Sequence, residues 1–154
     1  MAVYKIVQSD ANQLDLVKHL WEKLNELHEQ LSPDFKESFR RMNWNRREHS
    51  LVKKSGKIML DYVIEINSDK IVGYCISTIS KLNAKEGEVD SIFVEEEYRK
   101  FGIGKQLIDR AVKWLVEEKT EVQKLLVGAG NEQVIEFYKQ FDFYPVHIVL
   151  QRKH

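Results

Sequence analysis

The sequence has little cysteine, little proline and no excess of charge of one sign. Of its 154 residues one is cysteine and two are proline, and 24 basic residues balance 24 acidic ones. A single cysteine, Cys75, cannot form an internal disulfide, which excludes a disulfide-stabilised scaffold and fits a reducing cytoplasm. The formal net charge of zero excludes a uniformly basic surface, so we expect no nucleic-acid partner.

Long hydrophobic runs are also absent. No apolar run approaches the roughly 18 residues that cross a bilayer, and the first residues lack the basic head and apolar stretch of a signal peptide. We therefore expect a cytoplasmic protein with no membrane partner. The five histidines show no spacing typical of metal ligands, so we expect no metal. The length is that of one ordinary domain, and we predict a single domain over residues 1–154.

The first third of the chain has the periodicity of helices. After a short apolar strand at residues 3–7, Asp10 is a candidate N-cap. Apolar residues then recur at steps of three and four from residue 14 to residue 31, which predicts one face of a helix. Proline at position 33 ends that helix, and residues 35–54 are predicted to form a second, more polar one.

From residue 57 the pattern becomes that of strands separated by helices. Predicted strands cover residues 58–66, 71–79, 88–94, 124–127 and 144–151, and predicted helices follow Gly104 and cover residues 131–140. The first two strands are separated by a polar turn and form an antiparallel hairpin. This order predicts an α/β fold with a mixed sheet covered by helices on both faces.

The most informative stretch joins the strand at 88–94 to a helix through Gly102 and Gly104. The first turn of a helix leaves backbone N–H groups without partners, and these favour an anion. Glycine lets a phosphate approach the backbone without a Cβ in the way. Arg99, Lys100 and Lys105 add positive charge suited to a pyrophosphate.

Two other phosphate-binding patterns fit this stretch less well. The Walker pattern requires serine or threonine after the lysine, where this chain has Gln106. The dinucleotide pattern requires a third glycine, where this chain has Leu107. A nucleotide-binding protein that uses the same loop for another phosphate remains an alternative.

The pattern Arg99-x-x-Gly102-x-Gly104, after a strand and heading an amphipathic helix, resembles the acetyl-CoA motif of the GNAT superfamily. Downstream, Asn131, Tyr138 and Phe143 follow the N-x(6)-Y-x(4)-F spacing of the family's second motif. Two residues depart from the family pattern. Position 134 is often small and is valine here, and a glycine usually precedes the last phenylalanine, where this chain has Asp142. Aspartate tolerates the left-handed conformation better than most residues, so the helix end can survive.

The resemblance implies a mostly antiparallel sheet, splayed between the strands that end near Val94 and Val127. It also implies that acetyl-CoA is a co-substrate, with its pantetheine arm on the strand ending at Val94 and its pyrophosphate on the glycine loop. The cofactor-binding residues expected on this basis are Ile92, Phe93, Val94, Arg99, Lys100, Phe101, Gly102, Ile103, Gly104, Lys105, Asn131 and Tyr138.

The resemblance further implies direct attack of an amine on the thioester. Tyr138 matches the tyrosine near the cofactor sulfur in many relatives, where a phenol acts as the acid. The backbone N–H of Val94 is the expected oxyanion donor. Glu88 and Asp90 are the candidate bases: they lie two apart on one strand, and so we expect them to share a face with Ile92 and Val94.

The resemblance does not identify the acceptor. We expect a small primary amine, with a protein α-amine or lysine as the alternative. A non-catalytic acyl-CoA-binding regulatory module is an alternative of a different class. The apolar last strand at residues 146–150 is a candidate edge for pairing in a homodimer.

Overall fold

The computed structural model describes residues 3–154; Met1 and Ala2, which the single-domain prediction includes, lie outside the described residues. Five strands form one sheet in the order β1-β2-β3-β4-β5. They are β1 Tyr4–Ser9, β2 Ser55–Glu65, β3 Lys70–Ser80, β4 Glu86–Val94 and β5 Val122–Lys124. The pairs from β1 to β4 are antiparallel, and β4 pairs with β5 in parallel. The predicted mixed, mostly antiparallel sheet is confirmed.

Helices connect β1 to β2 and β4 to β5, and a further helix follows β5. They are α1 Lys18–Leu31, α2 Lys36–Arg41, α3 Trp44–Lys54, α4 Ile103–Glu117 and α5 Ile135–Lys139. Three 3-10 helical segments precede α1, α4 and α5, at Ala11–Val17, Glu96–Phe101 and Glu132–Val134 respectively.

Apolar side chains on the two sides of the sheet form two separate cores. On one side, which we call the α4 face, strand residues pack against α4 and α5; its buried members include Met59, Val63, Cys75, Val89, Val94, Leu107, Ile108 and Leu115. On the other side, the α3 face, strand residues pack against α1 and α3; its buried members include Leu20, Trp21, Trp44, Leu51, Leu60, Tyr74, Ile76 and Phe93. The prediction of helices on both faces is therefore confirmed.

The helices of the first third differ in detail from the prediction. The Asp10 side chain accepts from the Asn12 N–H at 2.9 Å, as expected of a cap. The predicted second helix is two helices. The chain is extended at Met42, after α2, and Asn43 is the N-cap of α3. The Asn43 side chain caps α3 by accepting from the Arg46 N–H at 3.0 Å.

The last third of the chain differs more from the prediction. Strand β5 ends at Lys124, so most of the strand predicted at 124–127 is not formed. The strand predicted at 144–151 is wrong as well, since these residues have no regular secondary structure. By contrast, Asp142 has φ of 66°, the left-handed conformation that the sequence requires of it at the end of the preceding helix.

Candidate active site

The glycine loop places unpaired backbone amides at the start of α4. Gly102 has φ of 70° and is the N-cap, and the Gln106 N–H donates to its carbonyl at 3.2 Å. The amides of Ile103, Gly104 and Lys105 precede that first bond, so they lack intrahelical acceptors. They form the kind of anion site that helix N-termini provide.

Gly102 and Gly104 differ in what surrounds them. A Cβ at Gly102 would meet no heavy atom within 4 Å, so the backbone conformation rather than packing requires glycine there. A Cβ at Gly104 would lie 3.7 Å from the Phe137 ring, which places α5 beside the first turn of α4. The Lys100 and Lys105 side chains are exposed at the same end of the helix.

Arg99 lies against the end of β4. Its Nε donates to the Val94 carbonyl at 2.8 Å, and its guanidinium lies 5.3 Å from the centre of the Phe93 ring. The residue therefore joins the strand end to the glycine loop. Its contact with a phosphate stays a prediction.

Strands β4 and β5 diverge as the GNAT resemblance implies. They pair from Glu86 with Val122 to Glu88 with Lys124, and β4 then continues to Val94 paired with β3 on one side and with no described strand on the other. The Glu95 N–H donates to the Val72 carbonyl on β3 at 2.8 Å. Since successive residues of a strand direct their amides to opposite sides, the N–H of Val94 points away from β3, into the cleft. Ile92 shares that orientation.

Strand β4 carries a bulge at Asp90. Ser77 pairs with Val89 and Ile76 pairs with Ser91, so Asp90 is an extra residue between two ladder positions. Val89 and Val94 are buried on the α4 face and Ile92 packs there too. The prediction that Ile92 and Val94 share a face with Glu88 and Asp90 is therefore wrong, because the bulge reverses the alternation of side chains beyond residue 90.

The carboxylate of Asp90 is held by three donors on the α3 face. It accepts from Lys54 Nζ at 2.7 Å, from Arg47 Nη2 at 3.2 Å and from the Thr78 hydroxyl. Arg47 Nη2 also lies 3.3 Å from the Asp90 carbonyl and donates to it. The Asp90 side chain is 1% exposed, and its burial disfavours the charged form. The hydrogen bonds from Lys54 and Thr78 and the charges of Lys54 and Arg47 outweigh that burial and lower the pKa of Asp90.

Glu88 is the last β4 residue paired with β5, at the closed end of the cleft. Its pKa is raised, mainly by burial and also by the negative charge of Asp90, against the opposing charges of Lys54 and Lys124. A carboxylate whose pKa moves towards neutrality suits a general base. Of the two candidate bases, Asp90 has its acceptor positions filled and a lowered pKa, whereas Glu88 has a raised pKa.

Tyr138 lies on α5 and packs against the α4-face core. Its ring makes edge contacts with Phe137 and Phe143, whose centres lie 5.3 Å and 6.5 Å away. Burial, together with the nearby Cys75, raises the pKa of Tyr138 to about 12. The phenol therefore keeps its proton at neutral pH. Burial likewise raises the pKa of Cys75 to about 12, so that thiol is a protonated core group.

Asn131 begins the segment that leads into α5. Its N–H donates to the Gly128 carbonyl at 3.0 Å, and its Oδ1 accepts from Gln133 Nε2 at 2.7 Å. The Asn131 side chain makes no cap hydrogen bond to the turn that follows. Its role as a pantetheine ligand remains a prediction.

Sequence reasoning missed the residues that hold the bulge: Arg47, Lys54 and Thr78. The two cations lie seven residues apart on α3, which is two helical turns and places them on one side of that helix. This spacing indicated that the two cations face the same way and can share a partner. The partner that they share was not predictable, since it depends on how α3 docks on the sheet.

Two searches gave negative findings within residues 3–154. No helix in this part of the chain has the length and apolar character needed to cross a membrane. In the same residues, no three His, Cys, Asp or Glu side chains come together in a way that would hold a metal ion.

The sequence is similar to known acetyltransferases. Residues 20–143 match the model of the acetyltransferase (GNAT) family. The chain is 34% identical over 92 residues to an uncharacterised N-acetyltransferase of Methanocaldococcus jannaschii, a match that covers 57% of this chain and 40% of that protein. It is 36% identical over 58 residues to an uncharacterised N-acetyltransferase of Archaeoglobus fulgidus, covering 38% and 40%. The match thus spans only 40% of the length of either relative.

Solved structures agree on the fold. A tetramutant of a Bacillus halodurans protein superposes with a TM-score of 0.72 at 15% identity, covering 97% of this chain and 99% of that one. The aminoglycoside N-acetyltransferase AAC(6')-Iy in complex with CoA superposes with a TM-score of 0.65 at 14% identity, covering 100% and 96%. Because the family model matches well over half of the chain and the fold agrees, the protein belongs to the acetyltransferase (GNAT) family.

Proposed function

We propose that this protein transfers the acetyl group of acetyl-CoA to a primary amine by direct attack. The observation that carries the proposal is the free edge of β4. This edge presents the backbone groups of Ile92 and the N–H of Val94 to a cleft, and the strand leads straight to the unpaired amides at the start of α4. An extended amide chain ending in a pyrophosphate fits such a path.

The binding residues follow from that path. The pyrophosphate lies at the backbone amides of residues 100–105, with Arg99, Lys100 and Lys105 supplying positive charge. The pantetheine arm lies along the edge of Ile92 and Val94 and receives a hydrogen bond from Asn131. When bound, acetyl-CoA supplies an activated acetyl thioester.

The catalytic groups lie on opposite faces of the sheet. Glu88 is on the α3 face and accepts the proton of the attacking amine, directly or through a water. The Val94 N–H points into the cleft and stabilises negative charge on the acetyl oxygen. Tyr138, on the α4 face, acts as the acid and donates its proton to the departing sulfur, so that CoA leaves as the thiol. With a pKa of about 12 the phenol is always protonated at neutral pH, which is what this role requires.

We propose a small amine as the acceptor. Gly130 is packed against the end of α1, where a Cβ would lie 2.0 Å from the Leu31 carbonyl oxygen. The segment before Asn131 therefore packs against the connection between α1 and α2. Two structural neighbours are named aminoglycoside acetyltransferases, which supports an acceptor of this class.

The test begins with binding. A ligand at a hundred times its Kd stabilises the folded state by about 2.7 kcal/mol, which raises the Tm of a domain of this size by about 5–10 °C. We expect acetyl-CoA to produce such a shift and ATP to produce none. The Lys105→Ala variant should show a smaller shift with acetyl-CoA, and Lys113→Ala, an exposed lysine farther along α4, should behave as the wild type.

Turnover is tested by the release of free CoA thiol in the presence of aminoglycosides, polyamines and lysine-containing peptides. We expect release with a small amine, with the acetylated product identified by mass spectrometry. Binding of acetyl-CoA without release for any amine would indicate the regulatory module. Release only with peptides would move the acceptor to a protein amine. A protein stabilised by ATP and not by acetyl-CoA would overturn the proposal.

A further inference from the structure

The segment that leads into the glycine loop has little packing of its own. The 3-10 helical segment Glu96–Phe101 contains no buried residue, and the Phe101 side chain is 39% exposed. Its N-cap residue, Glu95, makes no side-chain cap hydrogen bond. Segments with few buried contacts have low local stability. The contacts that neighbouring elements make with this segment therefore determine how well the amides of the glycine loop are placed.

One cross-strand pair contacts this segment at two places. Tyr4 on β1 lies opposite Glu65 on β2 in the antiparallel ladder. In the middle of the segment, the Tyr98 hydroxyl donates to Glu65 Oε2 at 2.8 Å. At its end, the Tyr4 hydroxyl donates to the Phe101 carbonyl at 3.4 Å and accepts from Gln106 Nε2 at 2.6 Å. Tyr4 thus joins the end of the segment to the first turn of α4.

The Glu65 carboxylate is itself held by the turn that follows β2. Its Oε1 accepts from the Ser68 N–H at 3.0 Å, while Oε2 accepts from the Tyr98 hydroxyl. The hydrogen bond from Tyr98 is the main cause of a lowered pKa of Glu65, and hydrogen bonds from the turn lower that pKa further. The carboxylate is therefore charged at neutral pH, and a hydrogen bond to a charged acceptor is stronger than one between neutral groups.

A second contact fixes the same side of α4 one turn later. Gln106 and Arg110 are four residues apart on the helix and so lie on one side of it. Arg110 Nε and Nη2 donate to the two carboxylate oxygens of Asp61 on β2, at 2.8 Å and 3.0 Å. The Asp61 side chain is fully buried. The start of α4 is therefore held by β1 and β2, whereas the cleft lies between β4 and β5, with β3 separating the two regions.

We propose that Tyr4 and Glu65 are positioning residues that keep the glycine loop in the conformation that its ligand requires. They act through Phe101 and Tyr98, and neither lies on a strand that borders the cleft. Loss of either contact lets the segment leave this conformation, and ordering it again on binding lowers the affinity. The identity of the ligand, acetyl-CoA, rests on the proposed function, whereas the ordering of the loop does not.

The Glu65→Ala variant separates positioning from simple electrostatics. The pyrophosphate of acetyl-CoA is anionic, so removal of a carboxylate near the loop would by itself favour binding. Loss of loop order predicts the opposite: the Kd for acetyl-CoA by calorimetry and the KM should both rise about three- to tenfold, with kcat unchanged. Tyr98→Phe, which removes only the donor hydroxyl, should give the same change. Glu65→Gln keeps an acceptor oxygen and should give a smaller one.

Hydrogen exchange followed by NMR tests the loop in protein without ligand. The Tyr98 N–H donates to the Glu95 carbonyl at 2.9 Å and the Gln106 N–H donates to the Gly102 carbonyl at 3.2 Å, so these two amides report the order of the segment and of the first turn of α4. In the Tyr4→Phe variant both amides should exchange about three- to tenfold faster than in the wild type.

Tyr62→Phe is the matched control. Tyr62 also lies on β2, but its ring is buried in the α3-face core, so the variant should leave the exchange of both amides and the affinity unchanged. Two outcomes would overturn the proposal: a Glu65→Ala variant that binds acetyl-CoA as tightly as the wild type or more tightly, or wild-type exchange rates in the double variant Tyr4→Phe with Tyr98→Phe. A wild-type protein that does not bind acetyl-CoA would refute the proposed function, and the exchange rates would still decide whether the pair orders the loop.

Discussion

Asp90→Ala tests whether the bulge in β4 is held by the contacts described above. The side chain is 1% exposed and accepts from Lys54, Arg47 and Thr78. Removing one partner of a buried ion pair costs about 3–5 kcal/mol. The Lys54 and Arg47 side chains are 42% and 22% exposed, so both cations regain water and we expect the lower end of that range. At about 2–4 °C per kcal/mol for a domain of this size, the Tm falls by about 6–12 °C.

The assay is thermal unfolding followed by circular dichroism and calorimetry at neutral pH. The matched control is Glu121→Ala, which removes a surface ion pair with Lys85 and should change stability by less than about 1 kcal/mol. The pKa of Asp90 is lowered in the folded state, so its stabilisation is complete above the unfolded pKa of about 3.9 and is lost as the pH falls through the folded value. The gap between wild type and variant should therefore close in acid. A variant that melts with the wild type at neutral pH, or a gap independent of pH, would refute the reasoning.

Three further predictions concern the site. Gly102→Asn tolerates positive φ but fills the anion site, so calorimetry should show acetyl-CoA affinity lowered at least about tenfold with the Tm retained, whereas Gly128→Ala, also with open space around it, should bind normally. Tyr138→Phe should lower turnover roughly 10²-fold with affinity for acetyl-CoA unchanged; full activity would return the ring to a packing role. In Glu88→Gln the acid limb of the pH–rate profile should disappear, because that limb reports protonation of a base whose pKa is raised; a profile like that of the wild type would exclude Glu88.

The parts of the fold that were predictable are those with a local cause. The helical steps before Leu31 and the glycine pair at the start of α4 depend on residues near one another in sequence. The left-handed Asp142 is also local, since a helix end needs positive φ and few residues accept it. Local signals of this kind located the candidate phosphate loop, whereas the splayed strands were expected from the resemblance to the GNAT superfamily.

The sequence contains a local signal for the break inside the predicted second helix, but a stronger local pattern favours one continuous helix. Asn43 caps α3 in the ordinary way, but the polar residues around it also fit a continuous exposed helix. What separates α2 from α3 is burial of Trp44 and Leu51 against the sheet, a tertiary effect. Helix propensity therefore did not distinguish one continuous helix from the two helices α2 and α3.

The prediction of a final strand was wrong for a different reason. Residues 144–150 have the composition of a strand, yet a strand requires a partner edge, and sequence does not say where that edge lies. The apolar pattern shows that residues 144–150 are able to form a strand, but it does not show that a partner edge is present.

The bulge at Asp90 was beyond any pattern argument, and it has the largest consequence for the site. With strict alternation, Glu88 and Val94 would project their side chains to one face, and a base would compete with the cofactor for the same space. One extra residue places Glu88 on the α3 face while Ile92 and Val94 pack on the α4 face with Tyr138. In the proposed reaction, an amine can then approach from one side of the sheet and the sulfur can depart towards the other. The open gap between β4 and β5 connects the two faces, so the attacking amine and the departing sulfur need not occupy the same face of the sheet.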